Sequence, residues 1–334
     1  MSANIAIVGA TGAVGRELLI VLAERKFPIK SLKLLASAKS AGKTVEFLGK
    51  THTIEELTKD SFKGVDIAFF SAGGGISREF APAAVAAGAV VVDNTSYFRM
   101  KDGIPLVVPE VNPEQIHKHN GIIANPNCST IILNVAVWPL YKANRVKRII
   151  VSTYQAVSGA GAQGLYDLEQ QMKSHAAGEP INRHLFPHQI VNNLFSHNTK
   201  INESGYNEEE LKMVNETRKI FGDPKIMVTA TCIRVPIPRA HCESINLEFE
   251  RPITPEQVRQ ILSKAPGVKI VDDRENNHFP MPLEATGQDE VLVGRIRQDI
   301  SRDDGKGIEI FVSGDQIRKG AATNAVQIGE KLVV

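Results

Sequence analysis

Cysteine is scarce in this sequence: Cys128, Cys232 and Cys242 are the whole complement among 334 residues. So small and odd a number fits a reducing cytoplasm better than a disulfide framework. Long apolar runs are missing too, and nothing approaches the ~20 residues that a membrane helix needs. The start, Met1-Ser2-Ala3-Asn4-Ile5, enters a strand-like segment without a basic leader and a long apolar stretch, so no secretory signal is expected. Charge of one sign is absent as well: 39 Lys and Arg against 37 Asp and Glu leave a net charge of +2. That balance disfavours nucleic acid or an anionic membrane surface as a partner. A metal centre built from Cys232, His241 and Cys242 lacks the paired spacing of zinc motifs, and no metal is expected. There is no repeat or low-complexity tract, and Asn192 to Asn207 is the most polar, loop-like stretch.

What is present points to an α/β protein. A chain of this length exceeds the usual size of one hydrophobic core, so two domains are expected. Asn4 to Val8 is a short apolar run, Gly9 to Gly15 a glycine turn, and Arg16 to Arg25 carries apolar residues at helical spacing. Further strands are predicted over Leu32 to Ala36, Asp66 to Phe70 and Ala89 to Asp93, with a helix over Ala81 to Ala87. The alternation implies a largely parallel, Rossmann-like sheet. After Cys128 the pattern changes. Ile149 to Tyr154, Lys225 to Ala230, Ser244 to Phe249 and Ile308 to Val312 read as strands of a second sheet, in a central α+β domain. The helical segment Ala321 to Leu332 has no local strand to pair with and is expected to pack on the first domain. The expected organisation is a dinucleotide-binding domain over 1–127 and 320–334, and a catalytic domain over 128–319.

The run Asn125-Pro126-Asn127-Cys128-Ser129-Thr130, followed by apolar Ile131-Ile132-Leu133, is the most informative feature. A turn-forming Asn-Pro-Asn delivers a cysteine to the first turn of a helix, where unpaired N–H groups and the helix dipole favour a thiolate. Cys232 lies in an apolar strand, and neither it nor Cys242 has such a setting. A base for the nucleophile is best sought at His241, in the proline-bearing segment Arg234 to Cys242 between two strands. His184, His188 and His197 sit in a polar stretch. Glycines 9, 12 and 15 suit either pyrophosphate binding or a merely tight structural turn. After the second strand, Ala36 to Lys43 has hydroxyls and cations where an NAD enzyme places an acidic residue on the ribose. That loop fits a 2′-phosphate or is a solvated basic loop. Ser71-Ala72-Gly73-Gly74-Gly75 follows the third strand and is either a close cofactor contact or a plain flexible loop.

The blocks Gly9 to Gly15, Asn125 to Thr130, Tyr154-Gln155-Ala156-Val157-Ser158-Gly159-Ala160-Gly161, and Arg234 with His241 resemble, in order and spacing, aspartate-β-semialdehyde dehydrogenases of the bacterial type. The resemblance runs over essentially the whole chain. It implies NADPH-dependent reductive dephosphorylation of L-aspartyl-4-phosphate to L-aspartate 4-semialdehyde through a cysteine thioester, on the route to lysine, methionine and threonine. It implies that Cys128 is the nucleophile, His241 the acid and base, Gln155 the residue that holds the intermediate in line, and Asn127 with the Cys128 N–H the oxyanion site. Arg234 would grip the substrate α-carboxylate, Arg99 and Lys212 the departing phosphate, and Glu209 the substrate amino group. Without the resemblance, Glu208 to Lys212 is simply a charged, solvated helix start. For NADP the implied contacts are Gly9, Thr11, Gly12, Ala13, Val14, Ser37, Lys39, Ser40, Ser71, Gly73, Ser158, Gly159 and Asn324, with Lys39 where relatives commonly have arginine. A homodimer through the catalytic domain's sheet is also implied. Other readings are a reductase making N-acetylglutamate semialdehyde, whose family carries glycine directly before its cysteine, a hydrolytic aldehyde dehydrogenase, and a non-catalytic nucleotide-binding regulator.

Overall fold

The computed structural model describes residues 2–333. The chain forms two compact units. The first runs to Asn127 and is taken up again from Ala321, and the second is Cys128–Gly320. Among the described residues no helix is long and apolar enough to cross a membrane.

The first unit begins with β1 (Ala3–Val8), α1 (Ala13–Glu24) and β2 (Ile29–Ala36), followed by the hairpin β3 (Thr44–Phe47) and β4 (Lys50–Glu56). Then come β5 (Ile67–Phe70), α2 (Gly74–Ala86), β6 (Val90–Asp93) and β7 (Ile122–Ala124). They make one seven-stranded sheet in the order β3-β4-β2-β1-β5-β6-β7. Every pairing except β3 with β4 is parallel. The central strands β1 and β5 are buried on both faces, as continuous apolar runs in a parallel sheet should be. The C-terminal helix Thr323–Leu332 joins this unit's core through Ala325, Val326 and Ile328. Helix α2 starts well before Ala81, so Gly74 and Gly75 are its first turn and the loop read over 71–75 ends at Gly73, whose φ is 95°.

The second unit contains α3 (Cys128–Ala143), β8 (Val146–Gln155), α4 (Ala162–Ala177), β9 (Phe195–Ser196), α5 (Glu208–Phe221), β10 (Met227–Arg234) and β11 (His241–Phe249). It is completed by α6 (Pro255–Leu262), β12 (Val268–Ile270), α7 (Pro282–Ala285), β13 (Val291–Gln298) and β14 (Gly307–Gly314). The sheet order is β12-β13-β14-β11-β8-β10-β9, with mixed directions. Burial alternates along β8 and β10, which is the mark of a sheet covered on one face only. Helix α3 lies against the covered face, touching β8, β13 and β14. Its residues 129–137 are buried without interruption, so the helix is enclosed on every side over that stretch, with Ser129, Thr130 and Asn134 as its buried polar residues. The open face carries Tyr154 and Met227, both exposed.

Candidate active site

Strand register brings the catalytic candidates of the second unit together. Strands β10 and β8 are parallel, with Arg234 opposite Gln155. Strand β11 runs antiparallel to β8 with Cys242 opposite Tyr154, which sets His241 level with Gln155. Side chains alternate between faces along a strand, so Gln155, Arg234 and His241 share the covered face at one end of the sheet. Cys128, the first residue of α3, lies on that same face, with its Sγ 3.5 Å from His241 Nε2. His241 is thus the first residue of a strand, where the sequence suggested a connecting segment. The difference matters, because ladder bonds fix its backbone.

The Ala156 N–H donates to His241 Nδ1 at 3.0 Å. A backbone amide has no other role than donor, so Nδ1 presents its lone pair and the neutral ring carries its proton on Nε2, facing the sulfur. Burial and then the Arg234 charge push the His241 pKa well below its ordinary value. The side chain is fully buried and stays neutral through the physiological range.

Gln155 is placed from both sides: its Nε2 donates to Ser129 Oγ at 3.1 Å and to Glu209 Oε1 at 3.0 Å. Glu209 is 4% exposed, and Lys212 Nζ pairs with its other oxygen at 3.0 Å. The solvated reading of this helix start therefore does not hold at Glu209. The reason lies in the cap. Asn207 accepts the Glu210 N–H at 3.0 Å and Glu210 returns a bond to the Asn207 N–H at 2.9 Å. The same Glu210 accepts the Cys232 N–H at 3.1 Å, which ties the helix start to β10 and turns Glu209 inward. Arg234 Nη1 donates to the Ala156 carbonyl at 2.7 Å, so Ala156 orients the arginine through its oxygen and the histidine through its nitrogen.

The short helical turn Val157–Ala160 follows. A Cβ added at Gly159 would sit 3.0 Å from Arg234 Nη1 and 3.3 Å from His241 Nε2. Both neighbours are held by hydrogen bonds and cannot yield freely. Gly159→Ala is therefore expected to lower kcat/KM by roughly 10-fold or more, since small misplacements of reacting groups are costly, while leaving the urea midpoint nearly unchanged. Wild-type kinetics in that variant would show that the close approach is not needed. Ser158 Oγ accepts from Gln316 Nε2, and Gln316 Oε1 accepts the Ala240 N–H at 2.8 Å. Ala240 has φ 69°, a left-handed conformation that a non-glycine residue holds only when its surroundings fix it. Gln316 thus steadies the residue before His241. Neither it nor Gly320, where an added Cβ would lie 2.9 Å from Cys128 Cβ, belongs to a motif the sequence displays.

The remaining histidines lie elsewhere or act differently. The His184 ring meets Tyr166 and that of His188 meets Phe195. His197, by contrast, bonds to Arg234. Cys232 and Cys242 are buried. Burial pushes the Cys232 thiol well up and that of Cys242 up to about 11.

In the first unit, the glycine turn is forced by close packing. Gly9 has φ 90°, and a Cβ there would stand 2.7 Å from the Ser71 carbonyl; at Gly15 it would meet the Gly9 carbonyl at 2.2 Å. Helix α1 starts at Ala13 with Gly12 as its N-cap and no side-chain cap, so its first N–H groups remain for a ligand. Thr11 and Val14 flank this start, and Ser71 follows β5. Ser37, Lys39 and Ser40 form a short turn after β2. This combination of a small-residue cradle, an uncapped helix start and a hydroxyl-and-lysine turn suits a dinucleotide with a 2′-phosphate. Arg99 is buried in this unit, donating from Nε to the Asn125 carbonyl and from Nη2 to the Asn94 carbonyl, each at 2.9 Å. Asn324 is also buried, and its amide group donates to the Val107 carbonyl and Asn125 Oδ1. Together they brace the Asn125-Pro126-Asn127 turn that precedes Cys128.

Comparison with known proteins finds a family match within each of the two units. Residues 4–119 match the family model described as semialdehyde dehydrogenase, NAD binding domain, and residues 137–319 match semialdehyde dehydrogenase, dimerisation domain. An aspartate-semialdehyde dehydrogenase of Synechocystis is 54% identical over 330 residues, covering 99% of this chain and 97% of the relative. Among solved structures, aspartate semialdehyde dehydrogenase II of Vibrio cholerae complexed with ASA superposes with a TM-score of 0.97 at 48% identity, covering 100% of this chain and 98% of that one. The aspartate semialdehyde dehydrogenase of Candida albicans with NADP gives 0.79 at 25% identity, covering 100% and 99%.

Proposed function

The chain belongs to the aspartate-semialdehyde dehydrogenase family, and from that premise we propose which residues carry the reaction and how. It is an NADP-dependent, phosphorylating oxidoreductase of amino-acid biosynthesis, and its first unit is the NADP-binding domain. The observation that carries the reading is the Cys128–His241 pair at the start of α3, flanked by Gln155 and Arg234.

The Cys128 thiolate attacks the acyl carbon of L-aspartyl-4-phosphate. The carbonyl becomes an oxyanion held by Asn127 and the Cys128 N–H, and its collapse breaks the C–O bond, leaving a thioester on Cys128 and releasing phosphate, which takes up from solvent the one proton that the net reduction consumes. Each preorganised donor of this kind is worth ~3 kcal/mol in the transition state. NADPH, when bound, would supply the hydride that reduces the thioester carbon, and the C–S bond then breaks to give the aldehyde and return the Cys128 thiolate. His241 holds the Nε2 proton beside the sulfur and the developing oxyanion, stabilising both negative forms. Gln155 and Glu209 meet the substrate's polar groups, Arg234 pairs with its α-carboxylate as a planar fork, and Arg99 and Lys212 receive the phosphate. Gly9, Thr11, Gly12, Ala13 and Val14 hold the dinucleotide pyrophosphate, with Ser37, Lys39 and Ser40 on the 2′-phosphate. Ser71, Gly73, Ser158, Gly159 and Asn324 shape the rest of the site. The second unit is the catalytic and dimerisation domain, and the open sheet face with Tyr154 and Met227 is the homodimer surface.

The reading predicts that NADPH formation from aspartate semialdehyde and NADP requires inorganic phosphate. Turnover undiminished in phosphate-free buffer would point to a hydrolytic dehydrogenase. A lack of turnover with either nicotinamide would return the regulator.

A further inference from the structure

Arg234 is constrained by more than Ala156. Its Nη2 donates to His197 Nε2 at 2.7 Å. A guanidinium has only donors, so this nitrogen of His197 presents its lone pair and the ring is neutral, with its proton on Nδ1. Nδ1 faces Thr199 Oγ1 at 3.4 Å, and the same hydroxyl accepts the Glu209 N–H at 3.2 Å. The His197 backbone is fixed too, its N–H donating to the Cys232 carbonyl at 2.8 Å. One imidazole therefore links the strand that carries Arg234 to the helix start that carries Glu209. Arg234 is 2% exposed, and its Nε is buried without a hydrogen-bond partner among the described residues. A buried charged donor in that state is suited to an acceptor brought by a ligand or a water.

We propose that His197 is a positioning residue for substrate recognition, fixing the Arg234 guanidinium so that its remaining N–H groups meet the substrate's α-carboxylate. The inference rests on the assignment of Arg234 to that carboxylate. Burial pulls the His197 pKa down to about 4, with Glu209 opposing and the charges of Arg234 and Lys212 adding to the fall. The ring is thus an acceptor throughout the physiological range. A carbonyl at this point would orient the arginine equally well, and a leucine would fill the space without orienting it. A cation here would repel the group it should hold.

The test is a split between KM and kcat with two aldehydes, aspartate semialdehyde and 3-aminopropanal, which is the same molecule without its α-carboxylate. His197→Leu is expected to raise KM for aspartate semialdehyde by about 10-fold, the scale of a lost hydrogen bond to a charged group, with little change in kcat. On 3-aminopropanal it should match the wild type. His197→Gln, which restores an acceptor, should recover most of the lost affinity. An unchanged KM in His197→Leu, or an equal loss on both aldehydes, would overturn the proposal. Arg234→Lys separates the two levels. A raised KM there with none in His197→Leu removes only the positioning role, whereas an unmoved KM in Arg234→Lys removes the carboxylate assignment and this inference with it. If His197→Leu does not fold, Thr199→Val takes its place, with a smaller rise in KM expected on aspartate semialdehyde alone and no rise counting against the proposal.

Discussion

Cys128→Ala is expected to lower turnover by roughly 10⁴-fold or more, the scale on which loss of a covalent nucleophile is felt, while NADP binding, followed by fluorescence, stays close to wild type. The substitution is clean because of how the residue is packed. The Cys128 Cβ lies against the Gly320 backbone, and alanine keeps that atom and removes only the sulfur. No other thiol can take over, because Cys232 and Cys242 are buried with their thiols pushed up by that burial. The dinucleotide turn belongs to the first unit and does not include Cys128. Wild-type-like turnover in this variant would exclude the thioester route.

The parts of this site that the sequence displays are those whose chemistry needs a fixed local pattern. A strand, a glycine turn and a helix must be contiguous to cradle a pyrophosphate, so Gly9 to Gly15 is readable. A helix-start cysteine must follow its turn, so Asn125 to Thr130 is readable too. Glu209 is different. Three acidic residues at a helix start look alike in sequence, and only the Asn207 cap and the Glu210 bond to Cys232 bury Glu209 and Glu210 while Glu208 stays exposed. His197 was hidden for a related reason. It follows the two-residue edge strand β9, too short to give a periodic signal, and its place beside Arg234 comes from pairing with β10. The strands β3, β4, β7, β12 and β13 carry no expectation either. Several are short, and β3 and β4 are exposed on alternate residues without a marked apolar face. Gln316 and Gly320 act through packing on residues far away in sequence, which leaves no local trace.

His241→Asn is expected to slow the reaction by about 10²–10⁴-fold, the usual range for a lost proton-handling group, and the shape of the pH profile decides what kind of group it is. With Nδ1 occupied by the Ala156 N–H, the resting ring faces the sulfur with Nε2–H. Taking up a further proton would put N–H against N–H at Ala156, in a fully buried place beside Arg234, and each of these opposes the imidazolium. The sign follows directly. A histidine with its pKa lowered is neutral above that value, so falling pH does not charge His241 near its ordinary pKa of about 6.5. Any loss of rate in that region belongs to another group. A donor role therefore predicts that the acid limb of log(kcat/KM) keeps its position in His241→Gln, whose amide still offers an N–H, even as the plateau drops. It also predicts that His241→Gln retains more activity than His241→Ala. If the acid limb instead disappears with the imidazole, His241 titrates in the working range and accepts protons during turnover. The Ala156 contact must then break in each catalytic cycle.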